Sequence, residues 1–590
     1  MRSVWLAIFA ALLVLAVIGE FPWRRFANSQ PVLKWERAAR PAVPGRPLFV
    51  LVHGFHPTDE RFEAMAAVLG AEGDVVRVQY PAHLLSNAVP DDICAALDAQ
   101  LEAAIRERGY TDVRLVAHSS GALIARRTLV TGWKNRSDWS AHVTRVVLLA
   151  GMNRGWSASG IRPLDMPVGK RLSWKAMEWL GQLTGFGGFI LDLKAGSPFV
   201  ANLRLDWMRE MRRLAGEQKS IEVVQLLGDI DDVVSQDDNQ DLQVMGDTGL
   251  YALVRVRGTG HAGIVDLADP ELGSYRRDKL LLAATRPFDE VRARNEAQPY
   301  PRDEKVSKIV FVLHGIRDLG EWSSEFETEI RAQQGDKVLI VSPRYGYLGM
   351  GPFLLPRVRE RYVRWFMDEY TETLARYPHV LPADIQFFGH SNGTFLLADA
   401  LKRYDAMRID RVVFAGSVVP RDYDWNKALG AGQVQRVRNY VATDDWVVAL
   451  FPRLFELRPF TLLKNDLGSA GFNGFRRGGT SSEADAGGNA LVENVYYVQG
   501  QHSAFKQSDG RVKEIVEFLS APTPSAARLE TRKSLAAKLM GFELTVWATW
   551  LAIVAVVAYV GVRVTSSAPS PSWVALVIFV VVLVRTLQTV

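Results

Sequence analysis

Two serines stand in matching settings. Ser119 lies in Ala117-His118-Ser119-Ser120-Gly121, and Ser391 lies in Gly389-His390-Ser391-Asn392-Gly393. Each follows an apolar run that reads as a strand. A small residue two before the serine and a glycine two after it allow the sharp strand-to-helix turn that lifts a serine oxygen clear of a sheet. The helix that follows favours negative charge at its N-terminus. Such a serine becomes a nucleophile when an acid and then a histidine follow it along the chain. The histidines are His261, in Gly258-Thr259-Gly260-His261-Ala262, and His502, in Gly500-Gln501-His502-Ser503. The shared pattern Asp-x-Val-Val selects Asp231 and Asp445 as the acids, with Asp229, Asp232 and Asp444 as rivals.

The chemistry of such a set is acyl transfer. Histidine takes the serine proton as the oxygen attacks an ester carbonyl, and the aspartate orients the imidazole and stabilises its charged form. Water, or another alcohol, then releases the acyl group from the serine. The tetrahedral oxyanion needs amide donors. His53-Gly54-Phe55 and His314-Gly315-Ile316 each close an apolar run, so the amides of Phe55 and Ser120, and of Ile316 and Asn392, are the candidate oxyanion holes. A His-Gly pair alone would read as a plain strand-to-loop turn, and an acidic loop alone as solvated surface. Their matched placement in both halves argues for chemistry. Six of the ten histidines fill three paired slots: 53, 118 and 261 against 314, 390 and 502. His56, His83, His142 and His379 have no counterpart and read as surface or packing residues.

Positioning these residues requires strands that end at the site. The first half offers Leu48–Val52, Val75–Val78, Val113–Val116, Val146–Leu149 and Val223–Leu227. The second offers Ile309–Leu313, Val338–Val341, Ile385–Phe388, Val412–Phe414 and Val495–Val498, with a shorter run at Val437–Val441. Continuous apolar runs suit strands buried on both faces of a parallel sheet. Helical patterns such as Asp91–Arg108 and Arg357–Arg376 lie between them. The alternation predicts the α/β class, a mostly parallel sheet with helices on both faces, built twice. Breaks in composition set the expected organisation. They place a first domain at 46–285 with an apolar insert at about 152–219, a linker at 286–305, and a second domain at 306–520. A linker at 22–45 precedes the first domain, and a basic linker at 521–540 follows the second.

The insert carries Trp156, Trp174, Trp179, Phe186, Phe189 and Trp207. The second half has Tyr345, Tyr347, Phe353, Leu354 and Leu355, and later Phe451, Leu454 and Phe455. These are either lids over an acyl pocket or additional core, and core is the expectation for most of them.

Both ends of the chain are apolar. Val4–Ile18 reads as an uncleaved anchor within 1–21, because no small-x-small cleavage site follows it. Leu544–Val562 is uncharged and long enough to span a bilayer, and Trp573–Val584 is a shorter third run, both within 541–590. Arg24, Arg25, Lys34, Arg37 and Arg40 follow the first run, and Arg528, Arg532, Lys533 and Lys538 precede the second. Cationic flanks stay inside, so the large middle region is expected to face the cytoplasm.

Other classes are set aside on composition. The chain has 590 residues, 48% of them apolar, and 70 basic against 65 acidic residues, a net charge of +5. A dedicated nucleic-acid binder would show a basic stripe. One cysteine, Cys94, excludes an intrachain disulfide and any cysteine-built zinc site. Gly258-Thr-Gly-His-Ala-Gly263 formally fits a dinucleotide fingerprint, but it ends a domain where that fingerprint opens one. No Walker loop and no His-Glu-x-x-His helix occurs.

With these residues in place, both halves resemble α/β-hydrolases of the serine lipase/esterase type, in tandem. The first is similar to lipases with Ala-His-Ser-x-Gly elbows. Its Gly196-Ser197-Pro198-Phe199 resembles the Gly-Ser-x-Phe segment before the acid strand in such lipases. The resemblance implies a Ser-Asp-His acyl-transfer mechanism that requires no cofactor and no metal. With the apolar ends and the small net charge, the expectation is a membrane-anchored serine carboxylic-ester hydrolase acting on a lipid or other apolar ester, with no nucleic-acid partner. An acyltransferase on the same triad, or a non-catalytic membrane protein using the folds as binding modules, are the alternative readings.

Overall fold

The computed structural model describes residues 21–37, 42–55, 59–157, 168–235, 238, 242, 250–297, 303–316, 323–344, 348–353, 355–457, 466–476, 491–497, 501–503, 505, 511–521 and 535–567. The chain divides into two compact units, Met1–Arg302 with Tyr370–Pro378, and Asp303–Glu369 with His379–Val590.

The first unit holds a seven-stranded sheet. Its strands are β1 (Val32–Arg37), β2 (Leu48–Val52), β3 (Asp74–Gln79), β4 (Val113–His118), β5 (Val143–Leu149), β6 (Glu222–Gly228) and β7 (Tyr251–Val256). The order is β1-β3-β2-β4-β5-β6-β7, and every pairing is parallel except β1 with β3. Side chains alternate between the two faces of a strand. Val50, Leu115 and Val146 therefore enter one core, while Phe49, Leu51, Val116 and Val147 enter the core on the opposite face. Both faces are apolar, which is why the strands read as continuous runs.

The second unit holds a six-stranded sheet. Its strands are β8 (Lys308–Leu313), β9 (Val338–Val341), β10 (Ile385–His390), β11 (Ile409–Ala415), β12 (Val434–Ala442) and β13 (Val492–Tyr497). The order is β13-β12-β11-β10-β8-β9, parallel throughout. Helices Gly121–Asn135 and Asn392–Arg403 leave β4 and β10 at corresponding places.

Three segments expected as linkers carry structure. Val32–Arg37, within 22–45, is the antiparallel edge strand. It is tied down by Arg77, whose guanidinium reaches Glu36 at 2.6 Å and Glu63 at 3.1 Å. Phe288–Arg292, within 286–305, is a helical turn whose Phe288 and Val291 join the first unit's core. Leu535–Met540, within 521–540, is a helix, followed by helix Glu543–Ser567. The run Leu544–Val562 lies in that last helix. Among the described residues, no helix is long and apolar enough to cross a membrane. The runs Val4–Ile18 and Trp573–Val584 lie outside the described residues, as do 158–167 of the insert, His56, Tyr345, Tyr347 and Leu354.

Candidate active site

In the first unit, β4 runs directly into Ser119, whose φ is +54°. A non-glycine residue rarely holds this left-handed backbone, and the strain aims the side chain out of the turn. The Ser119 amide is fixed by the carbonyl of Leu149 on the adjacent strand, at 3.0 Å. Gly121 is required because the helix starts against the neighbouring strand end: a Cβ there would lie 2.4 Å from the His53 carbonyl oxygen. Ser119 Oγ lies 2.8 Å from His261 Nε2, and His261 Nδ1 lies 3.1–3.2 Å from both carboxylate oxygens of Asp231. The Asp231 carboxylate is 1% exposed and accepts from the amides of Val233 and Val234 at 2.8 and 2.9 Å. Those two amides account for an aspartate at the head of this turn, since the acid braces the turn it stands on. Asp229 faces elsewhere and accepts from the Thr259 amide at 3.3 Å. β6 approaches the histidine loop so closely that a Cβ on Gly228 would meet the Thr259 carbonyl oxygen at 1.9 Å.

The second unit repeats much of this. Ser391 has φ +52° and its amide meets the Ala415 carbonyl at 3.0 Å. A Cβ on Gly315 would lie 2.8 Å from Ser391 Cβ and 3.3 Å from its Oγ, just as one on Gly54 would lie 2.8 Å from Ser119 Cβ. His502 Nδ1 lies 2.8 Å from Asp445 Oδ2, and Asp445 Oδ1 accepts from the Val448 amide at 3.0 Å. Asp445 is fully buried and caps the one-turn helix Trp446–Leu450.

The oxyanion candidates sit beside the serines. Ser120 and Asn392 are buried at the helix starts, and Phe55 and Ile316 are half-buried after Gly54 and Gly315. His53 Nδ1 lies 2.8 Å from the Gly54 carbonyl oxygen, and His314 Nδ1 lies 2.9 Å from that of Gly315. The two ends of a trans peptide point oppositely, so these contacts turn the amides of Phe55 and Ile316 away from the histidine ring.

The elbow histidines have a placement that motif spacing leaves without a role. His118 Nε2 lies 3.3 Å from the His261 carbonyl oxygen, and His390 Nε2 lies 3.2 Å from that of His502. Burial, with the nearby His261, pushes His118 down to about 3, so it stays neutral. The repeated histidine before each serine is the sequence signal of this contact.

The insert divides between core and surface. Trp156, Phe189 and Trp207 are core, with Trp156 Nε1 donating to the Ile190 carbonyl at 2.6 Å. Trp174 is half-buried against Trp156, while Trp179 and Phe186 are exposed. Ser197 caps helix Pro198–Gly216, its Oγ accepting from the Val200 amide. In the second half Phe353 and Leu454 are core and Leu355 is exposed. Among the described residues, no group of three or more His, Cys, Asp or Glu side chains is placed to hold a metal ion.

Residues 49–272 match the alpha/beta hydrolase family, and this part of the chain is an alpha/beta hydrolase domain. No curated protein matches the sequence. Among solved structures, the chain is similar to the Paleococcus ferrophilus monoacylglycerol lipase, at 16% identity over 42% of this chain and 97% of that one, with a TM-score of 0.28. It is also similar to a Bacillus licheniformis lipase, at 15% identity over 42% and 98%, with a TM-score of 0.29. A Pyrococcus furiosus esterase aligns at 14% identity over 42% and 84%, with a TM-score of 0.29.

Proposed function

We propose that the protein is a membrane-anchored serine hydrolase that cleaves carboxylic esters of apolar acyl groups. The observation that carries the reading is the chain of contacts from Ser119 Oγ to His261 at 2.8 Å and from His261 to the buried Asp231 at 3.1 Å. His261 receives the serine proton as the oxygen attacks the ester carbonyl, and Asp231 holds the ring and balances its charge. The amides of Phe55 and Ser120 receive the oxyanion. The imidazolium then returns its proton to the leaving alcohol, and water repeats the sequence on the acyl-serine. Ser391, His502 and Asp445, with the amides of Ile316 and Asn392, act in the same way in a second hydrolase domain. The matched elbow strain, acid caps and elbow-histidine contacts of the two units support this. The apolar ends hold the protein in a membrane with both units on the cytoplasmic side. Fluorophosphonate labelling tests the proposal. Ser119→Ala and Ser391→Ala each remove part of the label, and the double variant removes all of it. Full labelling of the double variant refutes the assignment.

A further inference from the structure

The acid of the second unit is tied to the base of the C-terminal helix. Asp445 caps helix Trp446–Leu450, whose last carbonyl, on Leu450, accepts from Trp550 Nε1 at 2.8 Å. Phe451 meets the Trp550 ring edge-on at 5.6 Å. Leu454 and Leu457 pack on the fully buried Val546, with Leu450, Trp547 and Trp550 around them. Arg453 donates to the carbonyls of Met540 and Gly541 at 3.0 and 2.6 Å, closing the end of helix Leu535–Met540. The segment 446–457 is thus held on one side by His502 through Asp445 and on the other by helix Glu543–Ser567.

Past Trp550 the described side chains of that helix are exposed. Leu551 is 62% exposed, Val556 61% and Tyr559 63%, and Ile553 and Val560 are exposed as well. No charge occurs between Glu543 and Arg563. At roughly 100° per residue, the exposed positions from 551 to 560 sweep about 200° of the helix circumference. A single partner helix covers a stripe of about 100°, whereas lipid covers a helix from all sides. Leu535, Leu539 and Phe542 extend the exposed apolar surface, with Lys538 exposed among them, which suits anionic headgroups.

We propose that helix Glu543–Ser567 is a lipid-docking surface whose base positions the acid loop of the second site, with Trp550 as the positioning residue, so that this site takes an amphiphilic ester from the lipid. The proposal rests on the reading of Ser391, His502 and Asp445 as a hydrolase triad. Trp550 touches no reacting atom. It acts through the Leu450 carbonyl on the turn that Asp445 caps, and loss of its contacts lets Asp445 drift from His502.

The test uses the full chain in vesicles of phosphatidylcholine and phosphatidylglycerol, with Ser119→Ala so that turnover reports the second site. With p-nitrophenyl butyrate, Trp550→Ala lowers kcat roughly tenfold with KM little changed. Trp550→Phe, which keeps a ring on Phe451, recovers part of the loss. An unchanged kcat in Trp550→Ala overturns the positioning role. Turnover that survives Ser391→Ala in the same background overturns the triad reading instead, so the two failures are distinct. For the lipid face, Val556→Cys in a Cys94→Ala background carries a fluorophore. A nitroxide on the lipid acyl chain quenches it at least twofold. An unquenched fluorophore overturns the lipid assignment, and cross-linking of two copies through that cysteine would assign the face to a second copy.

Discussion

The imidazole of His118 lies 3.3 Å from the backbone carbonyl oxygen of His261, one residue before the serine that His261 itself meets. A carbonyl only accepts, so the neutral ring presents Nε2–H to it. The contact fixes the histidine loop at its backbone, while Asp231 fixes it at the ring. Replacing His118 by Phe keeps a flat ring and removes the donor. First-site kcat falls roughly tenfold, the worth of one partly buried hydrogen bond, with KM little changed. Steady-state kinetics in a Ser391→Ala background check this.

The same residue makes stability depend on pH. Burial holds His118 at about 3, against about 6.5 for a free histidine. Between those values the unfolded chain binds a proton that the folded chain refuses, so stability falls as pH drops from about 6.5 toward 3. His118→Phe removes this term. Urea midpoints measured from pH 7.5 to 4.5 therefore fall less steeply in the variant than in the parent.

Asp231 and Asp229 separate in their effects. Asp231→Asn leaves the fold and costs about 10⁴-fold in first-site turnover, by misorienting the imidazole. Asp229 accepts from the Thr259 amide at 3.3 Å, so Asp229→Ala, which removes the acceptor, lowers the melting temperature while retaining most of the turnover. Paired kinetics and calorimetry distinguish them.

Gly416 has φ +56°, and a Cβ there would lie 2.9 Å from the His502 carbonyl oxygen and 3.0 Å from its ring. Gly416→Ala displaces that histidine and abolishes second-site turnover and labelling of Ser391. Labelling of Ser119 continues, which shows that the change is local.

Cys94 is fully buried, and burial pushes its thiol up to about 12. It resists maleimide in the native protein at neutral pH and reacts once urea unfolds the chain. Mass spectrometry before and after unfolding reads this directly. A test of membrane orientation through Cys94 therefore needs a denaturation step.

The parallel strands and the elbows were legible in sequence because their causes are local. A strand buried on both faces must be apolar at every position, as Leu48–Val52 is, and a turn of this sharpness demands Gly121 and Gly393 around its serine. The matched order of serine, acid and histidine follows from the same repeated plan. Where contacts are distant in sequence, the residues alone left alternatives. Val32–Arg37 falls in a segment that reads as a linker from a break in composition, and it becomes a strand through Arg77 and β3. The choice among Asp229, Asp231 and Asp232 turned on the close approach of Gly228 to Thr259, which aims one carboxylate at His261 and another at an amide. Trp156 and Trp179 have the same side chain, and packing alone sends one into the core and leaves the other on the surface. Residue types and spacing determined which groups this protein possesses for acyl chemistry. Tertiary structure decided which of them meet, because a hydrogen bond requires partners within about 3 Å, and only the packed sheet sets distances between residues more than a hundred positions apart.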